Sequence, residues 1–282
     1  MVTKIKEFAR KYHIFSKFLR LITYLGAAIS VIVLFFLVAY ILVKGIPHIK
    51  PDLFALEYNS ENVSLMPALI NTIIMTLISL LIAAPIGIFS AIYLVEYAKK
   101  GSKIVKLIRT TAETLSGIPS IVYGLFGFLF FVSALKWNYS MLAGSLTLVI
   151  MVLPLIMRTS EEALLAVPDA YREASFGLGA GKLRTVFRVV LPSAIPGILS
   201  GVILATGRIV GETAALIYTA GSVAKVPESI MNSGRTLAVH MYVLSSEGLH
   251  MDEAYATAVV LLVLVLAINA FSDFVAKRLT KG

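Results

Sequence analysis

The sequence predicts an all-α, polytopic membrane protein with six transmembrane helices, and three observations carry this prediction. Of the 282 residues, 58% are apolar and 15% are charged, whereas soluble globular chains are about 45–50% apolar and about 25% charged. The apolar residues gather into six charge-poor stretches, each close to the roughly 20 residues that cross a bilayer as a helix. The Lys and Arg residues concentrate on alternate connections between these stretches. A soluble enzyme and a disordered chain are both excluded by this composition.

The six stretches lie at 21–43, 62–95, 114–135, 137–157, 189–207 and 254–272. The first has 23 residues, more than the about 7–15 of a signal-peptide core, so it is expected to remain as a transmembrane helix that Gly45 and Pro47 end. The second helix is expected to begin near Pro67. The third is expected to carry Gly117 and Pro119 in its opening turn, where they serve close packing first and gating second.

Orientation follows from the Lys and Arg residues, which are retained on the cytoplasmic side of membrane proteins. With the N-terminus inside, 19 of the 25 Lys and Arg residues fall on inside segments and five on outside segments. The sequence therefore predicts a multi-pass protein of the cell membrane with both termini in the cytoplasm. Residues 1–20 form a basic cytoplasmic N-terminus, and 21–282 form one transmembrane domain with its core at 67–275.

The net charge of +9 needs no nucleic-acid partner, because the basic clusters flank the spans, where they meet anionic lipid headgroups. No nucleic acid is expected to bind. The chain has no cysteine, which excludes disulfides and Cys-ligated metal. No cofactor or metal is expected.

The connection at 158–192 carries the most specific motif. It predicts a helix, a break at Gly177, Gly179 and Gly181, and a basic amphipathic helix that enters the next span. Glu173-Ala174-Ser175 is followed by Gly179 and then by Val189-x-Leu191-Pro192. This spacing closely resembles the EAA loop of ATP-binding-cassette (ABC) importer permeases, written EAA-x3-G-x9-I-x-LP.

The resemblance implies the type I (MetI-like) permease fold and a coupling helix that seats in a groove of a separate ATPase. The expected coupling residues are Tyr171, Arg172, Glu173, Ala174, Ser175, Phe176 and Gly179. Tyr171 and Phe176 would act as apolar anchors, with Arg172, Glu173 and Asp169 as a polar rim. A solvated amphipathic loop without a partner is the alternative.

The run GLGAGKL in the same connection is similar to a phosphate-binding loop, but it does not fit the P-loop pattern. That pattern needs Gly and Ser or Thr at the positions of Phe176 and Leu183, and it follows a strand. The chain is therefore expected to be a transport subunit and not an enzyme, with ATP hydrolysed by another chain.

Arg208 and Glu212 stand four residues apart in ILATGRIVGETAALIYTAG. A continuous helix would place them on one face, where they can pair. From Ser193, Arg208 lies about 22 Å along the helix, at a depth where a charge has to face the bundle interior or a wet route. Arg208 would line an anion route with Glu212 orienting it, or the two would form an ion pair that locks helices together.

Thr72, Thr76 and Ser79 form a polar stripe on the second span. They line the same route or form hydrogen bonds between helices. The long outer segment 221–253 is expected to form either a short amphipathic helix at the outer surface or a plain interfacial loop.

The resemblance extends over nearly the whole chain, including SGIPSIVYGLFG, MVLPLIMRTSEEAL, VPDAYREAS and GRIVGETAALIYTAG. These phrases are similar to the PstA permeases of phosphate-specific ABC importers. The resemblance implies phosphate as substrate, a PstC-like second permease in a heterodimer, two PstB-like ATPases and an external PstS-like phosphate-binding protein. A permease for another oxyanion, such as molybdate, sulfate or phosphonate, is the alternative.

Two other classes find little support in the residues. An intramembrane enzyme would need a metal-ligating motif or paired carboxylates, but the four histidines are scattered and lie outside the six stretches. A proton- or sodium-coupled carrier would need intramembrane carboxylates, and only Glu212 qualifies.

Overall fold

The protein is described by a computed structural model over residues 2–99 and 101–280, with side chains from Ser16 to Ser272, apart from 100, and at Phe274 and Arg278. Lys100 and Lys281, counted above among the inside cations, lie outside the described residues. Within the described part of the chain, all regular secondary structure is helical. The helices are α1 Val2–Gly45, α2 Met66–Ile92, α3 Lys103–Ser116, α4 Ser120–Gly127, α5 Met141–Leu165, α6 Asp169–Gly177, α7 Lys182–Thr185, α8 Leu191–Val210, α9 Ala214–Thr219, α10 Leu237–Glu247 and α11 Met251–Thr280.

Three of these helices change winding at one end. π-helical turns at Tyr93–Tyr97, Phe128–Ala134 and Val186–Val190 continue α2, α4 and α7, and the last of them leads directly into α8. The second transmembrane helix begins at Met66 with Pro67 in its first turn, as predicted. A proline is compatible with that position because the first backbone N–H groups of a helix have no partner within it.

Five helical segments of the described chain are long and apolar enough to cross a membrane. They are Ser16–His48, Met66–Tyr97, Met141–Leu165, Lys182–Val210 and Met251–Ser272. The sixth candidate is a broken pair, Lys103–Ser116 and Ser120–Ala134, whose axes meet at 102°. The expected all-α membrane fold is confirmed, with the third span supplied by this bent pair.

The third span was expected to carry Gly117 and Pro119 in its opening turn, and the structure places both residues just before the first turn of α4. α3 ends at Ser116, Gly117 follows as its C-terminal cap, and Pro119 has the extended backbone that precedes α4. Proline has no N–H for a helical hydrogen bond and disfavours helical geometry in the residue before it. The chain therefore turns here, and α3 leaves the line of the span.

The centre of the bundle is formed by α2, α5 and α8. Met75, Leu148 and Ile209 belong to one buried apolar cluster, and Leu164 and Ile198 to a second one nearer α6. Close approach depends on small residues. A side chain at Gly201 of α8 would collide with Thr159 of α5, and one at Gly87 of α2 would lie 2.8 Å from Ile156 of α5.

α1 lies outside this bundle and packs along α11. Tyr40 meets Tyr255 edge to face with ring centroids 5.9 Å apart. Gly45 lies against the backbone of Tyr255, where a Cβ would have no room. From Ser16 onward, the described side chains of α1 are mostly exposed and apolar, as expected of a helix that faces lipid.

The segment 221–253 differs from both forms expected of it. It contains a helix, α10, whose first four residues, Leu237–His240, are 0–1% exposed. Leu237 N–H donates to Thr72 Oγ1 of α2 at 2.8 Å, and Leu244 packs on Val63, ahead of α2. α10 therefore starts inside the bundle and runs toward the end of the molecule opposite α6.

Candidate functional site

The Arg208 side chain projects from the last turn of α8 into an open cavity. The cavity has a volume of about 570 Å³ and is lined by Leu155, Ser200, Ile203, Leu204, Gly207, Arg208 and Asn269. Arg208 forms no ion pair with any acidic side chain of the described residues. A half-exposed guanidinium in a mainly apolar recess attracts anions, because its charge is poorly screened there. Asn269 of α11 adds an amide that the sequence analysis did not identify.

Glu212 is not the ion-pair partner of Arg208. α8 ends at Val210 with Gly211 as its cap, so the continuous helix on which the i, i+4 pairing depended is absent. Glu212 Oε1 accepts a hydrogen bond from Ala215 N–H at 3.0 Å, in the first turn of α9. A carboxylate is favoured there because the N-terminus of a helix carries partial positive charge. Glu212 thus stabilises the start of α9 and leaves the charge of Arg208 unbalanced.

The polar stripe on α2 makes contacts between helices. Thr72 Oγ1 donates to Ala68 O at 2.7 Å and accepts from Leu237 N–H of α10. Ser79 Oγ donates to Ser145 O of α5 at 3.1 Å. Thr76 is buried, and its hydroxyl has no partner among the described residues. These contacts match the hydrogen-bonding alternative for Thr72 and Ser79, and a pathway role for Thr72 and Thr76 stays a prediction.

α6 presents an exposed, partly apolar surface at one end of the bundle. Tyr171 and Phe176 are 51% and 48% exposed, and Leu178 just beyond them is 90% exposed. Glu173 and Ala174 are also exposed, while Ser175 Oγ meets Thr185 Oγ1 at 2.9 Å. Exposed large apolar side chains on a short polar helix are typical of a protein-docking surface.

The turn after α6 depends on the backbone of Gly179. Its φ is +80°, in the left-handed region that favours glycine. Its N–H donates to Phe176 O at 2.9 Å, and Ala180 N–H donates to Ser175 O at 3.1 Å. A Cβ at Gly179 would meet no atom within 4 Å, so conformation and not space selects glycine here.

Arg172 is not part of the exposed rim that the sequence analysis expected. Its guanidinium turns inward and donates to Glu96 Oε1 from Nε at 3.1 Å and from Nη2 at 2.8 Å. It also donates to the carbonyls of Val167 and Leu164 at 2.8 and 2.9 Å, where α5 ends. Asp169, an exposed residue of α6, accepts from Nη1 at 3.2 Å. Arg172 therefore fastens α6 to the ends of both α2 and α5.

Glu96 was missed by the sequence analysis. It belongs to the π-helical turn that continues α2 and is 76 residues away from Arg172 in the chain. The available signal was its position, as the first charge after the apolar stretch 62–95. An acidic residue beside a basic run at a membrane boundary suggests an ion pair, but its partner cannot be read from spacing.

A second ionic contact joins α3 to α5 at the same end. Arg109 pairs with the buried carboxylate of Glu161. Arg158 lies 3.1 Å from Glu162 and 3.8 Å from Glu113. These residues line a cavity of about 280 Å³. The bent helix α3 is thereby attached to the bundle close to α6.

A family model described as "Binding-protein-dependent transport system inner membrane component" matches residues 83–282. The chain belongs to this family of ABC importer permeases. It is accordingly a multi-pass inner-membrane protein and a transport subunit, not an enzyme.

Curated relatives match over most of their length. The probable ABC transporter permease protein YqgI of Bacillus subtilis is 35% identical, over 87% of this chain and 89% of its own. The phosphate transport system permease protein PstA of Haemophilus influenzae is 31% identical over 95% of both chains. PstA of Pasteurella multocida is 34% identical over 82% of this chain and 84% of its own. The expected likeness to PstA permeases is confirmed.

Solved structures support the fold. A chain of the inward-facing MetNI methionine ABC transporter aligns with a TM-score of 0.59 at 23% identity, over 77% of this chain and 94% of that one. A chain of a bacterial alginate ABC transporter, solved with an alginate pentasaccharide-bound periplasmic protein, aligns with a TM-score of 0.67 at 18% identity and 98% coverage of both. The expected MetI-like permease fold is confirmed.

Proposed function

We propose that this chain is a permease subunit of an ATP-driven importer of inorganic phosphate. The observation that carries the proposal is the set of phosphate permeases at 31–34% identity that match most of the chain. The geometry is consistent with it, since Arg208 offers an unbalanced positive charge to a cavity of about 570 Å³. An anionic substrate supplies the missing countercharge.

The proposed substrate route passes Arg208. The guanidinium carries donors that match the oxygens of phosphate, and Asn269 and Ser200 line the same cavity. One chain contributes only one wall, because the cavity is open on its other side. A second, PstC-like permease would complete the pathway as a heterodimer.

The proposed coupling to ATP hydrolysis passes through α6. Tyr171 and Phe176 seat in a groove of a separate PstB-like ATPase, with one ATPase for each permease. When the ATPases close, α6 moves as a rigid piece, and the Arg172–Glu96 contact carries the motion to α2. The turn at Gly179 and the α7 segment carry it to α8, on which Arg208 lies.

The proposed orientation places α6 and both termini in the cytoplasm and α10 on the outer side. The Lys and Arg distribution supports it, with 19 of 25 on the segments assigned to the inside. A PstS-like binding protein would then deliver phosphate at the α10 end. A cysteine introduced at exposed Leu178 or at exposed Leu249 tests this topology, because the chain has no other cysteine. A membrane-impermeant maleimide should label intact spheroplasts at Leu249 and not at Leu178.

The function is tested by reconstituting the chain with a PstB-like ATPase, a PstC-like second permease and a PstS-like binding protein from the same organism. ATP-dependent uptake of ³²P-phosphate is expected, with no comparable uptake of sulfate or molybdate. Arg208→Gln should abolish uptake while the complex still assembles, and Lys17→Gln, an exposed cation on α1, is the matched control. Uptake of sulfate or molybdate in place of phosphate would contradict the substrate assignment, and normal uptake by the Arg208→Gln variant would contradict the pathway role.

A further inference from the structure

The segment that leads into α10 descends into the bundle and turns at Arg235. Asn71 Nδ2 donates to the carbonyls of Lys225 and Arg235 at 2.9 and 3.2 Å, and Thr72 receives Leu237 N–H. Asn71 is five residues into α2, about 8 Å below its start at Met66. These side chains satisfy backbone groups that would otherwise be unpaired at that depth. Arg235 thus lies where this segment is bonded to α2, just ahead of α10.

The Arg235 side chain is enclosed and has no anionic partner. It is 4% exposed, and it forms no ion pair with any acidic residue that the structure describes. Its guanidinium carbon lies 4.7 Å from the ring centroid of Tyr58. Nε and Nη2 are both buried without a hydrogen-bond partner. His240 meets the Tyr58 ring edge to face with ring centroids 6.1 Å apart.

An enclosed cation with two unused donors is unfavourable unless something compensates for it. Burying an unpaired charge is costly, because the enclosed group loses its hydration without gaining a counterion. The cation–π contact with Tyr58 offsets only part of this cost and leaves Nε and Nη2 without hydrogen-bond acceptors. Nε and Nη2 are the edge of the guanidinium that binds two oxygens of one carboxylate or phosphate group.

Tyr58, on the loop ahead of α2, covers one face of the Arg235 guanidinium. Tyr58 is half-exposed, so only the inner face of its ring contacts the guanidinium. Val63, which packs with Tyr58, has φ +45°, a strained conformation for a β-branched residue. Lifting this loop would relieve the strain and remove Tyr58 from the face of the Arg235 guanidinium.

We propose that Arg235 forms an oxyanion-binding site at the outer entrance of the pathway, separate from the Arg208 cavity. The site takes a tetrahedral oxyanion on the Nε–Nη2 edge of Arg235 when the loop carrying Tyr58 opens. This proposal rests on the proposed function and orientation, and for a phosphate importer the ligand is phosphate arriving from outside. Arg235 then binds the substrate ahead of Arg208.

The test uses the fully assembled transporter with its binding protein. Arg235→Met keeps the length of the side chain and removes the charge, Arg235→Lys keeps the charge without the two-donor edge, and Lys225→Met is the control, an exposed cation of the same segment. The KM of phosphate uptake and the Tm of the complex are measured for each. Loss of a charge-assisted contact of this kind predicts a KM about tenfold higher or more for Arg235→Met. Its Tm should stay equal or rise, because the substitution removes an unpaired buried charge.

The outcomes separate a binding role from a structural one. An unchanged KM for Arg235→Met overturns the proposal, and so does failure of this variant to assemble. If KM rises while Tm falls in Arg235→Met, the Arg235→Lys variant distinguishes a binding role from a structural one. Recovery of Tm by Arg235→Lys with KM still raised supports the binding site, and recovery of KM and Tm together to wild-type values overturns the role of the two-donor edge. Failure of the proposed function is seen separately, as absence of phosphate uptake by the wild-type complex, and the same KM series is then run with the oxyanion that the complex does import.

Discussion

Removing the Arg172 guanidinium should release α6 from the membrane helices. Arg172→Met eliminates two hydrogen bonds to Glu96 and two to backbone carbonyls at the end of α5. The side chains of Arg172 and Glu96 are only 14% and 9% exposed, so Glu96 would be left largely buried without its partner. Breaking a buried pair in this way costs about 3–5 kcal/mol.

The free-energy cost applies to the docking of α6 onto the membrane helices. Because both side chains retain some contact with solvent, the low end of that range, about 3 kcal/mol, applies. That free energy shifts the equilibrium between docked and released α6 by about a hundredfold. The matched control is Asp169→Asn, which removes a contact of the same guanidinium with an 83% exposed carboxylate. Its cost is expected to stay below about 1 kcal/mol.

Hydrogen–deuterium exchange of the assembled complex measures this shift. Backbone amides of α6 should lose about a hundredfold in protection in Arg172→Met, while those of α10, at the other end of the bundle, should not change. ATP hydrolysis should continue with less phosphate carried per ATP. Wild-type protection of α6 in Arg172→Met, or an equal loss in Asp169→Asn, would refute the assignment of Arg172 as the anchor of the coupling helix.

Three further predictions concern single residues. Gly179→Ala should destabilise the turn after α6 by about 1–2 kcal/mol through backbone strain alone, lowering the transport-to-hydrolysis ratio; an unchanged ratio would show that the left-handed turn is dispensable. Burial, and next the charge of Arg235, lower the pKa of His240 to about 3. As the pH falls below about 6.5, His240 becomes protonated in the unfolded chain but stays neutral in the folded chain. The free energy of unfolding should therefore drop by about 2 kcal/mol between pH 7 and 5. His240→Leu should abolish this part of the acid sensitivity in thermal melts, and identical pH profiles would contradict it. Gly201→Ala should lower Tm by forcing α8 away from Thr159, at a cost of about 1–3 kcal/mol, and Thr159→Ala in the same chain should restore it.

Features that depend on local sequence were predictable. Apolar length located the spans, proline and glycine located the start of α2 and the end of α1, and the EAA spacing located α6 and the turn at Gly179. Each of these depends on residues within a few turns of one another. Gly117 and Pro119 likewise located the start of α4, although the angle at which α3 meets it depends on packing and was not predicted.

Features that depend on distant residues were not predictable. The pairing of Arg208 with Glu212 assumed an unbroken helix, and Gly211 ended it. Arg172 was placed on an exposed rim because its partner, Glu96, is 76 residues away in the chain. Arg235 was counted as an outside loop cation, since nothing in its neighbourhood indicates that Asn71 draws the segment inward. Long-range hydrogen bonds decided the last two of these outcomes. The first was decided locally, by a single glycine.

The 102° break also sets the thickness of lipid that this subunit can tolerate. Ser120–Ala134 has 15 residues and reaches about 22 Å, against about 30 Å for a bilayer hydrocarbon core. Its outer face is apolar, with Ile121, Val122, Leu125 and Phe126 all 44–49% exposed. If this segment alone faced lipid, the acyl chains beside it would have to compress by about 8 Å, at a fraction of a kcal/mol for each ångström. Covering this face with another subunit removes the mismatch, so a thicker membrane favours the assembled transporter over the isolated chain.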